Sequence, residues 1–374
     1  MLPPKQLLTL WIMLIAMTGF GCHPKPIHEP HVPSDDARSN HAKAKSEVPG
    51  SIPFIVRVKT NIPKADVHIQ VLKADAEAER KNIVNAYSLD CGNASPILEN
   101  QTGDIHCMYD EAGEYDIAIK NQVVGLRLIE EQGIPVKERS YYFTDIKQWG
   151  NIRWYDLTDF AAERYALKVS ATDIPDLSQT ISLSGMFIAT NINIPMNAWD
   201  VSHVKTMKAM FRSNEAFNQP LDQWNVSNVE DMSEMFEYAT SFNQPLNTWD
   251  VSNVRDMRRM FFNARQFNQP LDRWNVKNVS QMKCMFHWAD KFDQDISMWD
   301  FSGVEACLKA PTEDEMLKDV CITAIFSYSD SDRSNLERYH FLEEKFPEEC
   351  VIDLNSFEDD SADSSICTDN SFFL

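Results

Sequence analysis

Five tryptophans spaced 25 residues apart constrain this chain more than any other feature. They are Trp199, Trp224, Trp249, Trp274 and Trp299. The residues around them repeat as well, with a Phe-Asn-Gln-Pro-Leu stretch before the tryptophan and a Met-x-x-Met-Phe stretch after it. A fixed period of about 20 to 50 residues is typical of stacked repeats, in which each unit buries its apolar side only against its neighbours. This part of the chain is therefore predicted to be a solenoid.

Within one unit, the spacing of the apolar residues changes from that of a strand to that of a helix. Trp224 and Val226 alternate with polar residues, which is the period of a half-buried strand. From Val229 onward, apolar residues recur at steps of three and four, through Met232 to Ala239, as in an amphipathic helix. Each unit is thus predicted to contain a strand, a turn, a helix of two to three turns and an extended return, with a parallel sheet on one side.

The repeat also resembles a known one. The stretch FNQPLDQWNVSNVEDMSEMF, residues 217–236, is similar to the repeat of the BspA-like leucine-rich repeat surface proteins of bacteria, with Trp and Met where leucine usually stands. The resemblance implies an α/β leucine-rich-repeat solenoid over residues 144–307, with regular repeats over residues 186–307. A parallel β-helix is the alternative, and the helical spacing of the Met-x-x-Met-Phe-x-x-Ala stretch disfavours it.

The segment before the repeats is predicted to be all-β. Over residues 51–143, short stretches alternate apolar and polar residues and are separated by turn residues, which predicts a sandwich. The stretch LDCGNASPILENQTGDIHCMYDEAGEYDIAI, residues 89–119, is similar to the polycystic-kidney-disease-type (PKD-type) β-sandwich modules, which serve as spacers. The predicted fold class is therefore multidomain, with an N-terminal PKD/Ig-like all-β sandwich followed by the α/β solenoid.

Residues 1–22 have the features of an export signal. Lys5 precedes an apolar run from Leu7 to Phe20, which has the length of a signal peptide and is too short for an ordinary transmembrane helix. The run ends in Gly-Phe-Gly-Cys, which resembles the lipobox of bacterial lipoproteins. This resemblance implies a lipid on Cys22, which would anchor the protein in the cell envelope, at the outer membrane or the cell surface. An ordinary secretory signal is the alternative.

Three further segments flank the predicted domains. Residues 23–50 are rich in Pro, His, Ser and charged residues without apolar periodicity, which predicts a disordered tether. Their scattered histidines lack a cysteine partner pattern, so no metal site is predicted there. Residues 308–347 are predicted to form a helical C-terminal cap. Residues 348–374, which are acidic and contain no Lys or Arg, are predicted to form an acidic tail.

The cysteines of an exported protein are expected to pair. Cys91 and Cys107 flank one loop of the predicted sandwich, so a disulfide bond between them is expected, with two buried free thiols as the alternative. If Cys22 carries a lipid, seven thiols remain, an odd number, so at least one is unpaired or bonded to another molecule. The sequence leaves open how the others pair, namely Cys284, Cys307, Cys321, Cys350 and Cys367.

Charge and motifs restrict the possible functions. The net charge of −21 argues against nucleic acid as a partner and against any membrane contact other than the lipid anchor. The chain has only 11 glycines and no phosphate-binding loop, and it lacks the His-Glu-x-x-His, Gly-x-Ser-x-Gly and Cys-x-x-Cys motifs. We therefore expect no catalysis, no cofactor and no metal.

A solenoid would offer a concave sheet face for ligands. If Trp and Val point inward, the residues between them point outward. The candidate ligand contacts are Gln223, Asn225, Thr248, Asp250, Arg273, Asn275, Lys277 and Asp300. The nearly identical Asp/Asn rungs also suit a structural role, whereas Arg273 and Lys277 break the uniformity. The expected function is a surface lipoprotein that binds a protein or glycan in adhesion; a structural envelope protein without a specific ligand is the alternative.

Overall fold

The computed structural model describes residues 51–131 and 133–304. The predicted signal peptide, tether, C-terminal cap and acidic tail lie outside these residues. The described strands are β1 (Phe54–Thr60), β2 (Ala65–Val71), β3 (Ala86–Asp90), β4 (Leu98–Gln101), β5 (Ile105–Tyr109), β6 (Gly113–Gln122), β7 (Leu126–Leu128), β8 (Tyr141–Gln148) and β9 (Lys168–Val169). The described helical elements are α1 (Ala76–Arg80) and the 3-10 turns Val136–Glu138 and Phe301–Gly303. None of the described helices has the length and apolar character needed to cross a membrane.

Residues 54–148, together with β9, form two β-sheets. One sheet has the strand order β4-β3-β6-β1-β8-β9, and the other has the order β5-β2-β7. All pairs are antiparallel except that of β8 with β9. Burial follows the alternation of the sequence, so that Phe54, Val56 and Val58 of β1 are fully buried while the residues between them are partly exposed. The inward-facing side chains of both sheets belong to one core.

A disulfide bond joins the two sheets. Cys91 lies directly after β3 and Cys107 lies in β5, and their Cα atoms are 5.6 Å apart. The hydroxyl of Tyr109, two residues beyond Cys107, donates a hydrogen bond of 2.7 Å to the carbonyl of Cys91. The disulfide bond thus closes the loop that runs from β3 in one sheet, through β4, to β5 in the other sheet.

Removing this bond is expected to destabilise the protein. The double change Cys91→Ser and Cys107→Ser should lower the free energy of unfolding by about 3 kcal/mol, because the unfolded chain regains the freedom of a loop of 16 residues. Urea unfolding measures the difference. As a control, Met108→Ser at an exposed neighbouring position should change it by less than about 0.5 kcal/mol. A loss below about 1 kcal/mol in the double variant would contradict the expectation.

The sheets continue directly into the repeats. The carbonyl of Val124 accepts backbone hydrogen bonds from Tyr155 and Asp156, at 3.1 and 2.9 Å. Gly125 lies so close to the carbonyl of Asp156 that no β-carbon could be accommodated there. The hydrophobic core runs without interruption from the sheets into the repeat region. The sheets therefore form one continuous body with the first repeat units.

A buried ionic cluster lies at this junction. The carboxylate of Glu130, 7% exposed, accepts a hydrogen bond from the amide of Phe143 at 2.7 Å and pairs with Arg139. Arg164, which belongs to the first repeat unit, lies 3.7 Å from the same carboxylate and donates to the carbonyl of Leu128 at 2.8 Å. Burial raises the pKa of Glu130, and Arg164 opposes the rise.

The predicted α/β leucine-rich-repeat solenoid is wrong. Between Val169 and Phe301 the structure contains neither a helix nor a strand. Each repeat unit is a succession of turns, and neighbouring units meet through isolated single-residue parallel bridges. The regular bridges connect Ser182, Thr206, Asp231, Asp256 and Gln281. They lie five residues beyond Val226 and its equivalents, within the stretch predicted to be helical, and not in the stretch predicted to be a strand.

Left-handed residues explain why the helix does not form. Glu234 and Tyr238 have φ angles of +61° and +58°, and the equivalent residues of the other units share this conformation. A right-handed helix cannot pass through such residues. Alternate amides instead serve different partners. Those of Met232, Glu234, Phe236 and Tyr238 donate to the next unit, whereas those of Met235, Glu237 and Ala239 close short turns within their own unit. Steps of three and four along the sequence here reflect successive turns.

The invariant residues of the repeat hold neighbouring units together. The rings of Trp224 and Trp249 stack at 6.4 Å, and the indole nitrogen of Trp249 donates to the carbonyl of Leu221 at 2.9 Å. On another side, the Oδ1 atom of Asn218 accepts hydrogen bonds of 3.0 Å from the amide of Asn243 and from the side chain of Gln244. The same contacts recur in the neighbouring units. Burial and pairing between units therefore account for these residues.

Candidate binding face

Many of the predicted ligand contacts hold turns. Asn225, Asp250, Asn275 and Asp300 each accept a hydrogen bond through Oδ1 from the backbone amide two residues further along the chain, at 3.0 to 3.3 Å. This is an Asx turn, and it gives each side chain a structural task. We call the surface formed by residues 222–228, 247–253 and 272–278 the turn edge.

The remaining predicted contacts lie on the same turn edge. The amides of Gln223 and Arg273 donate to asparagine side chains of the preceding unit, each at 3.0 Å. The hydroxyl of Thr248 donates to the carbonyl of Asp222 at 2.9 Å. The side chains of Gln223, Arg273 and Lys277 are exposed. The structure therefore brings the predicted residues onto one surface of successive turns, without the concave sheet, and ligand binding there stays a prediction.

The other sequence-based site predictions fall mostly outside the described residues. Cys22 is one of these. Cys91 and Cys107 are bonded to each other, and Cys284 is also disulfide-bonded. The other cysteines of undetermined pairing, Cys307 among them, lie beyond residue 304. Within the described residues, no group of three or more His, Cys, Asp or Glu side chains is arranged to hold a metal ion.

A second surface also varies strongly between repeats. At four positions of each unit the residues differ in charge, size and aromaticity, while the core and the asparagines between units stay almost the same. We call this surface the variable face. It comprises Lys208, Ala209, Arg212 and Ser213; Ser233, Glu234, Glu237 and Tyr238; Arg258, Arg259, Phe262 and Asn263; and Lys283, Cys284, His287 and Trp288. Two of the four positions in each unit are the left-handed residues that prevent the helix.

A groove of about 400 Å³ opens at one end of the variable face. Gly185 and Ala209 are part of its lining and have little or no side chain. The next two units carry Glu234 and Arg259 at the equivalent position. The full lining is Asp159, Ser184, Gly185, Ile188, Lys208, Ala209, Arg212, Glu234, Glu237 and Arg259. Most of these side chains are charged, so the groove suits a polar partner.

Ion pairs between consecutive units fix the charged side chains. Glu234 lies 2.5 Å from Arg212 and 3.6 Å from Lys208, both of which belong to the preceding unit. Glu237 is 3% exposed and accepts a hydrogen bond of 2.9 Å from Nε of Arg259. Burial raises the pKa of Glu237, and the positive charge of Arg259 opposes the rise. The pairs hold the guanidinium groups in defined positions on the face.

The groove gives way to an aromatic cluster further along the face. The guanidinium of Arg259 lies 4.2 Å from the ring centroid of Phe262. Phe262 also contacts Tyr238, His287 and Trp288, with ring centroids 4.8 to 5.3 Å apart. Phe262 and His287 are buried, whereas Tyr238 and Trp288 are half-buried and reach the surface. Charged and aromatic groups therefore lie next to each other.

His287 is expected to make stability depend on pH. Burial, with a smaller contribution from Arg259, lowers the pKa of His287 from an ordinary value of 6.5 to about 4. Between these values the unfolded chain binds a proton that the folded protein does not, so stability is lost as the pH falls. The stabilisation by neutral His287 should therefore decrease by about 2 kcal/mol from pH 7 to pH 5.

Urea unfolding of the wild type and of His287→Phe, at both pH values, tests this expectation. Phenylalanine occupies the equivalent position of the preceding unit, at Phe262. The comparison also cancels the opposite pH trend of carboxylates such as Glu237, whose pKa is raised. The control is His203→Asn, which replaces an exposed histidine by the asparagine of the next unit. The free energy of unfolding of this variant should depend on pH as that of the wild type does. Parallel pH profiles for the wild type and His287→Phe would contradict the assignment.

The variable face has the features of a binding surface. Several of its charged side chains form ion pairs between units, and its aromatic rings pack around Phe262, on which Arg259 lies. Such an arrangement can bind a partner by charge and by apolar contact. Sequence reasoning placed the ligand face on the turn edge instead, and that placement stays a prediction. The signal that could have identified the variable face is the variation itself, because residues required by the stack cannot vary between units.

Comparisons with known proteins give one match. A family model described as "Mycoplasma protein of unknown function, DUF285" matches residues 156–257 and 223–315, which include the repeat units. No curated protein and no solved structure matches the chain. Nothing in these comparisons is specific to BspA-like or leucine-rich-repeat proteins. Over residues 156–315, the chain is similar to DUF285, a family of repeat-containing proteins.

Proposed function

We propose that this protein is a non-catalytic binding protein at a bacterial cell surface that captures a macromolecular ligand on the variable face. The observation that carries the proposal is the distribution of sequence variation. The apolar core residues and the asparagines that bond between units are nearly constant, whereas the residues of the variable face, several of which also pair between units, range from serine to glutamate, arginine and tryptophan. The requirements of stacking do not fix the residues of this face, and selection for a particular partner would account for their range.

The composition of the variable face supports binding to a protein or a glycan. Arginine, tyrosine and tryptophan are enriched where binding energy concentrates in protein interfaces. Arg259, Tyr238 and Trp288 lie together here. Ion pairs and ring contacts hold several of these side chains in place before a partner arrives, which reduces the conformational entropy lost on binding.

The proposed location rests on the start of the chain. The apolar run that ends at Cys22 supports export, with lipid attachment through the cysteine and exposure at the cell surface. The similarity to a family described from Mycoplasma is in keeping with a bacterial source. Adhesion is the role that a lipid-anchored binding protein of this kind would serve. Intact-mass analysis of the membrane-extracted protein tests the anchor, because a mature chain that starts at Cys22 with acyl mass is expected.

A structural envelope protein without a specific ligand is the second candidate. The uniform Asx turns of the turn edge favour it, because they give a repeated surface a purely structural use. The two candidates differ in what the variable face does. If the protein is purely structural, it has no specific partner, and changes on the variable face should not alter what it binds.

Variants that take their new residues from neighbouring units separate the two candidates. Lys208→Ser and Arg258→Ser introduce the residue found at Ser233, so the stack should tolerate them. On the turn edge, Arg273→Thr and Lys277→Ser introduce the residues that the preceding unit carries at the same positions, Thr248 and Ser252. Full-length wild type and both double variants are used in quantitative pull-downs from host-cell and cell-envelope extracts, and surface exposure is checked by protease shaving of intact cells.

The expected result is a partner retained by the wild type and by the turn-edge variant and lost by the variable-face variant. Loss in the turn-edge variant alone would move the site to Arg273 and Lys277. Equal recovery by all three proteins, or protection of the chain from protease in intact cells, would contradict the proposed function.

A further inference from the structure

We infer that the variable face binds an acidic polypeptide segment in which carboxylates alternate with apolar side chains. The inference rests on the proposed function and names the chemistry of its partner. Two observations carry it: the outward placement of two cations in the ion pairs of this face, and the aromatic cluster that adjoins them.

Two of the ion pairs expose their cations and cover their anions. The side chain of Lys208 is 46% exposed while that of its partner Glu234 is 20% exposed. Arg258 is 47% exposed while its partner Asp256 is 17% exposed. Arg259 is 18% exposed above Glu237, which is 4% exposed, whereas Arg212 and Glu234 are covered about equally, at 22% and 20%. Lys208 and Arg258 are therefore the cations that this face presents to solvent, each held by a more buried carboxylate.

The balance of charge on the face points the same way. The variable face contains five basic residues and two acidic ones, in a chain whose net charge is −21. The basic residues are Lys208, Arg212, Arg258, Arg259 and Lys283, and the acidic ones are Glu234 and Glu237. A positive surface on an acidic protein attracts anionic partners locally, while the remainder of the chain repels them elsewhere. The partner is therefore anionic and is held at this face.

The pattern of charge argues against a uniform polyanion. Neighbouring units of a parallel stack lie about 4.8 Å apart, so Lys208 and Arg258, two units apart, are separated by about 10 Å. The unit between them carries Ser233 and Glu234, and the carboxylate of Glu234 already pairs with Lys208 and Arg212, so this unit offers no basic side chain at either position. A sulfated glycan with charges on every sugar would find no cation there. A peptide can leave that position neutral.

The aromatic cluster supplies the apolar part of the site. Tyr238 and Trp288 are half-buried and flank Phe262, on which the guanidinium of Arg259 lies. Apolar side chains of a peptide can pack against these rings while neighbouring carboxylates pair with Arg258 and Lys283. Arginine next to aromatic rings is typical of the residues that contribute most to protein binding.

Fluorescence anisotropy with a defined probe tests the inference. The probe is a labelled synthetic peptide of 16 residues that repeats Glu-Phe-Asp-Ser, and the comparison peptide repeats Lys-Phe-Lys-Ser. The protein is the full mature chain, as the wild type, as the triple variant Lys208→Ser, Arg258→Ser and Lys283→Ser, and as the turn-edge variant Arg273→Thr and Lys277→Ser. Heparin and vesicles of phosphatidylglycerol serve as competitors.

We expect the acidic peptide to bind the wild type and the lysine peptide not to bind. The triple variant should bind at least about tenfold more weakly, and raising the salt from low to physiological strength should also weaken binding. The turn-edge variant should differ from the wild type by less than about twofold. A double variant with Tyr238→Ser and Trp288→Asn, the residues of neighbouring units, should lose binding even at low salt because the aromatic contacts are gone.

Several outcomes would overturn the inference. Binding that is unchanged in the triple variant would place the acidic peptide elsewhere, and stronger competition by heparin or by the vesicles would assign the face to a glycan or a lipid. A failure of the peptide, combined with loss of a native partner in the variable-face pull-downs, would leave the proposed function standing and refute only the acidic chemistry. Absence of any partner in either experiment would count against both.

Discussion

Replacing Trp249 with alanine is expected to lower the free energy of unfolding by about 4 kcal/mol. The ring stacks on Trp224 at 6.4 Å and is 3% exposed, and its indole nitrogen donates to the carbonyl of Leu221 at 2.9 Å. Alanine would leave a cavity in the middle of the stack, and the carbonyl of Leu221 would keep only its hydrogen bond of 3.1 Å from the amide of Trp224. The loss would be felt by the units on both sides, because each unit is stabilised only by its neighbours.

Urea unfolding of Trp249→Ala and Trp249→Phe separates the contributions of the ring and of the hydrogen bond. Phenylalanine keeps most of the buried ring and loses the indole donor, so it should cost about 1–3 kcal/mol. Changing the exposed neighbour Thr248 to glutamine, the residue at Gln223, should cost less than about 1 kcal/mol. A loss of under about 2 kcal/mol for Trp249→Ala would show that the stack does not depend on its tryptophans.

Replacing Glu130 with alanine is expected to cost about 3–5 kcal/mol. The change removes the buried carboxylate between Arg139 and Arg164, and leaves the amide of Phe143 without its acceptor. Arg164 is itself buried, so its charge would remain uncompensated in the interior. Because Arg164 belongs to the first repeat unit, the loss should loosen the junction between the sheets and the repeats.

Thermal unfolding and limited proteolysis of Glu130→Ala measure this effect. The variant should be cleaved faster than the wild type at the junction between residues 148 and 168. The exposed Glu138, changed to alanine, is the control and should behave as the wild type does. Unaltered unfolding of Glu130→Ala would mean that the ionic cluster contributes nothing to the junction.

The sequence predicts the β-sheets better than the interior of a repeat unit. In β1 the alternation that buries Phe54, Val56 and Val58 is directly visible in the sequence, because a strand has a side-chain period of two. The 25-residue period likewise indicates which tryptophans must stack. The register between strands, such as Val56 opposite Ile117, could not be predicted, because many registers satisfy the same alternation.

The helix was mispredicted because two structures share one spacing. Met232, Met235 and Ala239 recur at steps of three and four, which is the period of a helix and also that of successive turns of three to four residues. What separates them is the left-handed conformation of Glu234 and Tyr238, and neither residue type signals it. The concave sheet that the turn edge was expected to form is therefore absent from the described residues, and ligand binding at the turn edge stays a prediction.

The variable face could have been identified from the sequence by comparing equivalent positions of the repeat units. The predicted ligand contacts lie where a sheet would be exposed, whereas the variation between Arg212, Glu237, Phe262 and His287 is visible in the sequence itself. What the sequence could not show is that these residues converge on one surface. That depends on turns that bring the four variable positions of each unit to the same side.

Hydrogen exchange of the full-length protein, with and without its captured partner, tests the central claim most directly. We expect slower exchange on binding in residues 205–213, 230–238, 255–263 and 280–288, which contain the variable face. Exchange in the turn edge, at residues 222–228, 247–253 and 272–278, should be unchanged. Slower exchange in the turn edge with none in the variable face would contradict the account and return the ligand site to the Asx turns.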